Sequence, residues 1–237
     1  MEQIQNNRVI TDLYRENAQF PGIALDGSDV YLCWQRFVDR HDSLMASCRR
    51  GDEVVWEREI SDGGEVLHPV ILAHGGAIWY AWSEYARENW RILARCYRDG
   101  QWGEVLTVAS GEALFLPRRF TWQGKLHVIW TEQHKGSAAA VLCPLTEAGP
   151  GAAETVSAVG EAYRAGAAEG GDGNLYVAYD GFDGKQYKLF ARARTAAGWS
   201  EEIVVSQGED WASTPWIAAK PDGAVVGWYD YGYMAVY

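Results

Sequence analysis

Residues 68–110 read HPVILAHGGAIWYAWSEYARENWRILARCYRDGQWGEVLTVAS. This stretch contains four short hydrophobic runs, which are 70–73, 77–82, 90–96 and 105–110. Turn signals at Gly75-Gly76 and Asp99-Gly100 lie between runs and supply the positive-φ positions that tight hairpins need. Four short antiparallel strands in a unit of about 48 residues are typical of one β-propeller blade.

The same unit recurs along the chain, and three landmarks keep its period. An aromatic residue closes the second hydrophobic run at Trp34, Trp82, Trp130, Tyr179 and Trp228. A turn glycine occurs at Gly27, Gly75, Gly124, Gly173 and Gly223. A proline occurs at Pro21, Pro69, Pro117 and Pro215, with Arg164 near the corresponding place in the fourth unit. Recurrence at a fixed period indicates a repeat architecture.

The two ends of the chain predict how the ring closes. The sequence after Trp228 is long enough for a third strand only, whereas residues 4–11 resemble a fourth strand. Pairing the two leaves only short outer edges. We therefore predict an all-β fold, a five-bladed β-propeller of four-stranded antiparallel blades in a single domain over residues 1–237. The predicted blades are residues 20–61, 68–110, 116–159, 163–206, and 214–237 plus the closing strand 4–11.

Composition limits the partners and the compartment. The formal net charge of -11 would repel a phosphate backbone, so we expect no nucleic-acid partner. The N-terminus has neither a basic region nor an apolar run, and no stretch approaches the roughly 20 apolar residues of a membrane span. We therefore expect a cytoplasmic protein with no membrane partner.

The cysteines predict packing rather than chemistry. Cys48, Cys96 and Cys143 recur at one repeat position, so they should lie in different blades, too far apart for a disulfide or a shared metal. We interpret them as small buried hydrophobic residues. Motifs for metal, nucleotide and serine-hydrolase sites are absent from the sequence. We expect no metal and no cofactor.

Candidate catalytic residues follow the repeated aromatic. In a propeller, the segments after the second strand and before the first strand emerge on one face, which usually carries the ligand site. Glu84, Glu132, Asp180 and Asp230 reach this face from four successive blades and form a candidate carboxylate crown. Glycoside hydrolysis needs such paired acids, and we assign the catalytic role to Glu84, Glu132 and Asp230. The alternative is that these acids are solvated or paired with arginines.

Candidate ligand-binding residues flank the proline or lie near the last blade. Arginine binds carboxylate or phosphate through two hydrogen bonds, which favours Arg36, Arg118 and Arg164, with Asp180 beside them. His68 precedes Pro69 on the same face. Neighbouring residues of a strand point to opposite sides, so only one of Arg118 and Arg119 should line the channel. The remaining candidates are aromatic residues that could stack on sugars: Trp211, Trp216, Tyr229 and Tyr231.

The turn after the third run carries a family resemblance. Residues 97–102, YRDGQW, and 195–199, TAAGW, keep the glycine and tryptophan of the Asp-box, or BNR, motif Ser-x-Asp-x-Gly-x-Thr-Trp. The chain thus resembles sialidase-like β-propellers. Its five blades are also similar to arabinanase and fructosidase-like glycosidases, which have three central carboxylates, and to tachylectin-type lectins.

Three functions are compatible with these patterns. The first is a binding module for a glycan or small polar ligand at the central mouth. The alternative is a glycoside hydrolase or lyase with paired carboxylates, which requires two acids within roughly 5 to 10 Å of each other. The third is a scaffold for a protein partner, which an exposed apolar patch would favour.

Overall fold

The computed structural model describes residues 17–61, 63–158, 160–207 and 211–230, together with the backbone of residues 234–236. The regular elements in these ranges are β-strands, arranged in five antiparallel sheets that follow one another along the chain. The sheets are the blades of a five-bladed β-propeller, which confirms the predicted fold class. No helix in the same ranges is long and apolar enough to cross a membrane.

The strands of the five blades have the following bounds. Blade 1 contains β1 (Asn17–Asp26), β2 (Asp29–Val38), β3 (His41–Arg50) and β4 (Glu53–Glu59). Blade 2 contains β5 (Glu65–His74), β6 (Ala77–Ala86), β7 (Asn89–Arg98), β8 (Gln101–Trp102) and β9 (Leu106–Gly111). Blade 3 contains β10 (Ala113–Trp122), β11 (Lys125–His134), β12 (Ser137–Thr146), β13 (Gly149–Pro150) and β14 (Glu154–Thr155). Blade 4 contains β15 (Ala162–Glu169), β16 (Leu175–Phe182), β17 (Tyr187–Thr195), β18 (Gly198–Trp199) and β19 (Ile203–Val204). Blade 5 contains β20 (Ala212–Lys220), β21 (Gly223–Asp230) and β22 (Met234–Val236).

Each blade is a meander in which strands that are consecutive in sequence pair with each other. The first strands contact one another in the order β1, β5, β10, β15, β20, and we call them the inner strands. In blades 2 to 4 the predicted fourth strand is divided into two short strands that both pair with the third. The predicted closing strand, residues 4–11, lies outside the described residues.

Tight turns define the two faces of the propeller. The inner strand of blade 1 turns into β2 at Gly27, whose φ is 59°, and that of blade 2 turns into β6 at Gly75 and Gly76. A side chain is rarely stable at such φ values, which is why glycine recurs there. We call the end with these turns the lower face. The opposite end, where the chain enters each inner strand, is the upper face.

The repeated aromatic residues pack between blades. Trp82 is fully buried in a cluster with side chains of blade 1, and Trp130 occupies the same place between blades 2 and 3. Tyr179 and Trp228 do so at the next two interfaces. These four repeated aromatics are therefore packing residues between blades. The three repeated cysteines are buried free thiols in the same layers.

Candidate functional site

A ring of five strained residues surrounds the channel at the upper face. Each inner strand carries a β-bulge at the same place, where its pairing with the second strand shifts register. The bulged residues have left-handed φ values between 40° and 54°, and we call them the bulge ring: Phe20, His68, Leu116, Arg164 and Thr214. Left-handed backbone is costly for residues other than glycine, and such strain concentrates at functional sites.

The bulge ring corrects the sequence alignment of blade 4. Four of the five residues precede a proline, and in blade 4 the residue after Arg164 is Ala165. Arg164 therefore corresponds to His68 and Phe20, not to the prolines. Blade 4 presents a cation where its neighbours present neutral side chains.

A second set of residues lies between the bulges. Arg164 N donates to Thr131 Oγ1 of blade 3 at 3.1 Å, so the residue after the repeated aromatic contacts the bulge of the next blade. The corresponding residues are Gln35, Ser83, Thr131, Asp180 and Tyr229. Asp180 belongs to this set, whereas Glu84, Glu132 and Asp230 lie one residue further along and on the other side of their strands. The four predicted crown acids therefore do not share one repeat position.

Arg164 and Asp180 form a clamp at the mouth. Arg164 Nε lies 3.0 and 2.9 Å from the two carboxylate oxygens of Asp180, and Nη2 donates to Oδ2 as well. The Asp180 side chain is 0% exposed, whereas that of Arg164 is 35% exposed. The carboxylate raises the pKa of the guanidinium, which stays charged. Asp180 thus holds a cation in place and leaves Nη1 of Arg164 for another group.

Glu84 is a structural carboxylate. Its side chain is 1% exposed, pairs with Arg91 of β7 and accepts a hydrogen bond from Trp82 Nε1 at 3.2 Å. Gly64 packs directly against it. No substrate can approach this group, so its geometry does not support the catalytic role expected from the sequence.

Replacing Gly64 by alanine tests this packing. A Cβ at Gly64 would lie 2.5 Å from Cγ and 2.8 Å from Cδ of Glu84. Because Glu84 is enclosed, we expect G64A to lower the free energy of unfolding by about 1–3 kcal/mol, measured by urea denaturation. Gly160→Ala is the control, since its Cβ would meet no atom within 4 Å. Equal stability of the two variants would contradict the packing of Glu84.

The two remaining acids face separate cavities. Glu132 lines one of about 390 Å³ beside β12 and β14. Asp230 lines another of about 220 Å³ with Trp228 and Val205, and its Oδ1 is buried without a hydrogen-bond partner. The structure therefore does not bring these two carboxylates together in one described cavity.

The two neighbouring arginines of β10 both lie among the inner strands. Arg118 Nη1 donates to the Pro215 carbonyl of blade 5 at 3.2 Å, and Arg119 Nε donates to the Ile71 carbonyl of blade 2 at 2.7 Å. Arg118 and Arg119 therefore extend toward opposite sides of β10, and Arg119 lines a cavity between the inner strands. Arg118 extends past Gly166 of blade 4 to reach blade 5, and a Cβ at Gly166 would lie 3.7 Å from Arg118 Nη1.

Three polar atoms on blades 1 and 2 lack hydrogen-bond partners at the mouth. They are Gln35 Oε1, His68 Nδ1 and Ser83 Oγ, all buried. His68 packs edge-on against Phe20, with ring centroids 4.7 Å apart, and burial lowers its pKa, so the imidazole is neutral. Buried polar atoms are nearly always hydrogen-bonded, so these three atoms are exceptions among the described residues.

Aromatic side chains lie next to the clamp. Tyr163 contacts Tyr187, which also contacts Trp211. On blade 5, Trp216 packs edge-on against Tyr229 at 4.8 Å, and both are nearly half exposed. The structure thus places the predicted aromatics Trp211, Trp216 and Tyr229 near the mouth, while Tyr231 lies outside the described residues.

Other predicted and unpredicted residues complete the site. Arg36 pairs with Glu59 at 3.5 Å and lies beside the mouth on blade 1. The sequence did not predict Arg91 and Tyr187, because each lies on the third strand of its blade. Arg91 pairs with Glu84 of the second strand, and Tyr187 contacts Tyr163 and Trp211 at the mouth. Among the described residues, no group of three or more His, Cys, Asp or Glu side chains is arranged to hold a metal ion.

Comparison with known proteins gives a fold but no family. No protein-family model matches the chain, and no curated protein matches its sequence. An endo-arabinase from Bacteroides thetaiotaomicron superposes with a TM-score of 0.56 at 10% identity, covering 92% of this chain and 91% of that one. An arabinanase from Bacillus subtilis gives 0.52 at 14%, covering 91% and 92%.

A third similar structure is a mannose phosphorylase from Leishmania mexicana in complex with phosphate ion, with a TM-score of 0.54, 10% identity, and coverage of 92% and 81%. At such identities the likeness shows a shared propeller fold and not a shared activity. These comparisons do not show the sialidase-like resemblance. The chain shares the five-bladed β-propeller fold of carbohydrate-active enzymes.

Proposed function

We propose that the chain recognises a glycan that carries a carboxylate, such as a uronic acid, at its upper mouth. The observation that carries this proposal is the clamp of Arg164 and Asp180. A guanidinium that is fixed on one edge by a buried carboxylate offers its remaining N–H groups at low entropic cost. Arg118 adds a second cation below it, and no carboxylate lies within ion-pair distance of Arg118 among the described residues.

The neutral groups around the clamp suit a sugar ring. The neutral imidazole of His68 is partly exposed and can hydrogen-bond a hydroxyl group. The exposed rings of Trp216 and Tyr229 supply apolar faces on which a pyranose can stack. A carboxylate at one end and a stacked ring at the other would fix the orientation of the glycan across the mouth.

Isothermal titration with glucuronate- and galacturonate-containing disaccharides, against their neutral counterparts, tests the proposal. The double variant Arg164→Gln/Asp180→Asn removes both charges and leaves no buried ion unpaired. We expect it to bind the acidic disaccharides at least tenfold more weakly, which corresponds to about 1.4 kcal/mol. Equal affinity of the wild type for acidic and neutral sugars would overturn the proposal.

The double variant Arg50→Gln/Asp29→Asn is a matched control. Arg50 and Asp29 also form a two-hydrogen-bond pair, at 2.7 and 2.8 Å, but on the exposed lower part of blade 1. We expect this variant to bind as the wild type does. A similar loss in both double variants would mean that removal of an ion pair, and not the clamp, weakens binding.

Glycoside hydrolysis is the second candidate, favoured by the similar structures named above. Its requirement for two accessible acids is met poorly, because Glu84 and Asp180 are enclosed and paired with arginines. Release of reducing ends from the acidic disaccharides, abolished in Asp230→Asn or Glu132→Gln with binding retained, would establish hydrolysis. Binding of the acidic disaccharides without release of reducing ends would favour a module that only binds glycans. The scaffold alternative stays a prediction.

A further inference from the structure

Blades 2 and 3 carry a carboxylate at the same repeat position, but with different neighbours. Glu132 of β11 corresponds to Glu84 of β6. In blade 2 the residue opposite Glu84 on the third strand is Arg91, and its guanidinium forms an ion pair with the carboxylate. In blade 3 the residue opposite Glu132 is Ala139. Blade 3 therefore has the carboxylate of this pair but not the arginine.

A cavity lies where the arginine is missing. Glu132 and Ala139 both line the space of about 390 Å³ described above, together with Ser137, Val141 and Thr155. Ligand pockets of proteins commonly measure about 300–1,000 Å³. Because the alanine side chain ends at Cβ, blade 3 supplies no cation of its own on this side of Glu132.

The charge of Glu132 is not balanced within the cavity. Glu132 is partly buried, and its carboxylate has no hydrogen-bond or ion-pair partner among the described residues. No lysine or arginine of the described residues lines the cavity, and Lys135 lies in the adjoining turn, outside the wall. His134 lines it, is 65% exposed and lies 3.1 Å from Glu112. Even a protonated His134 would be balanced by Glu112, so Glu132 remains the uncompensated charge.

A buried N–H group on the same strand also lacks the partner that it has in blade 2. Trp82 Nε1 donates to Glu84 Oε2 at 3.2 Å, whereas Trp130 Nε1 is buried without a hydrogen bond. Trp130 is 1% exposed, and buried N–H groups are nearly always hydrogen-bonded. Blade 2 joins indole, carboxylate and guanidinium in one network. Blade 3 has the indole and the carboxylate, both unpaired, and a guanidinium that held Glu132 in the position of Glu84 would complete the network.

From this comparison we infer that the cavity of blade 3 binds an alkylguanidinium group, which pairs with Glu132 as Arg91 pairs with Glu84 in blade 2. The planar N–H fork of a guanidinium matches a carboxylate, whereas an ammonium lacks this geometry. The group can belong to a free small molecule or to an arginine side chain of a protein partner. The cavity is formed by β11, β12 and β14 rather than by the bulge ring, so the inference does not rest on the glycan proposal.

An NMR titration of the isotope-labelled full chain with propylguanidinium chloride tests the inference. We expect saturable binding of one ligand per chain, with a shift of the Trp130 indole N–H signal, which is assigned from its absence in Trp130→Phe. Propylurea has a similar shape without the charge, and propylammonium has the charge without the fork. Both should bind at least tenfold more weakly. No saturable binding, or equal binding of propylurea, would overturn the inference.

Two variants test the position of the site. Glu132→Gln removes the charge at nearly constant volume, and Ala139→Arg supplies a guanidinium from the chain itself. We expect both to bind propylguanidinium at least tenfold more weakly. Ala139→Arg should unfold at no lower urea concentration than the wild type, because the larger side chain enters existing space. Undiminished binding by either variant would overturn the inference.

Glu104→Gln is the matched control, because it neutralises an exposed carboxylate of blade 2. We expect it to bind propylguanidinium as the wild type does. An equal loss in Glu104→Gln and Glu132→Gln would show general charge attraction and would also overturn the inference.

A blocked tripeptide, acetyl-Gly-Arg-Gly-amide, distinguishes the two sources of the guanidinium. Binding at least tenfold tighter than that of propylguanidinium would assign the site to an arginine side chain of a protein partner. Equal or weaker binding would assign it to a free guanidinium compound. Failure of the acidic disaccharides to bind at the upper mouth would leave the inference standing, because the two sites share no residue.

Discussion

Replacing Arg164 by alanine is expected to lower the free energy of unfolding by about 3–5 kcal/mol, because it leaves the buried carboxylate of Asp180 without a cation. The Asp180 side chain is 0% exposed, and its hydrogen-bonded cation is Arg164. Urea denaturation at pH 7 measures the loss.

Asp180 and Arg164 differ in exposure, so substitutions of the two residues should differ in cost and can serve as controls. Asp180→Asn should cost less, because the Arg164 side chain is 35% exposed and keeps part of its hydration. The double variant Arg164→Ala/Asp180→Asn should be more stable than Arg164→Ala alone. Arg50→Ala breaks an exposed pair with Asp29 and should cost at most about 1 kcal/mol. A double variant as unstable as the sum of its parts would contradict the coupling.

The repeat in the sequence was sufficient to predict the fold, because each landmark has one structural role. The aromatic at Trp82 and its counterparts is buried between blades, and the glycine at Gly75 and its counterparts turns the chain at positive φ. A residue that recurs at a fixed period indicates such a role, because each blade packs against its neighbours in the same way. The predicted closing strand falls on residues that the structure does not describe.

The site was predicted less well, because its chemistry depends on register between strands. Glu84 stands opposite Arg91 on β7, a partner that no spacing in the sequence reveals. Asp180 follows its aromatic by one residue and Glu84 by two, so the two acids face opposite sides of their blades. Because only the repeat position was considered, the two acids were assigned to one carboxylate crown.

Replacing Trp82 by alanine is expected to cost about 3–5 kcal/mol of unfolding free energy. Its side chain is 0% exposed in the cluster that joins blades 1 and 2, and its Nε1 donates to the buried Glu84. The substitution therefore leaves both a cavity and a poorly satisfied carboxylate. Trp216→Ala is the matched control, because Trp216 is 44% exposed, and it should cost about 1 kcal/mol or less.

The shape of the unfolding curve for Trp82→Ala tests how the blades depend on one another. Trp82 packs against side chains of blade 1, so the interface that it fills is shared by two sheets. If the blades unfold together, weakening one interface should lower the midpoint while the transition stays single and its urea slope stays unchanged. Two separate transitions would instead show that blade 1 detaches before the others. A loss below about 1 kcal/mol would contradict the role of Trp82 in joining the blades.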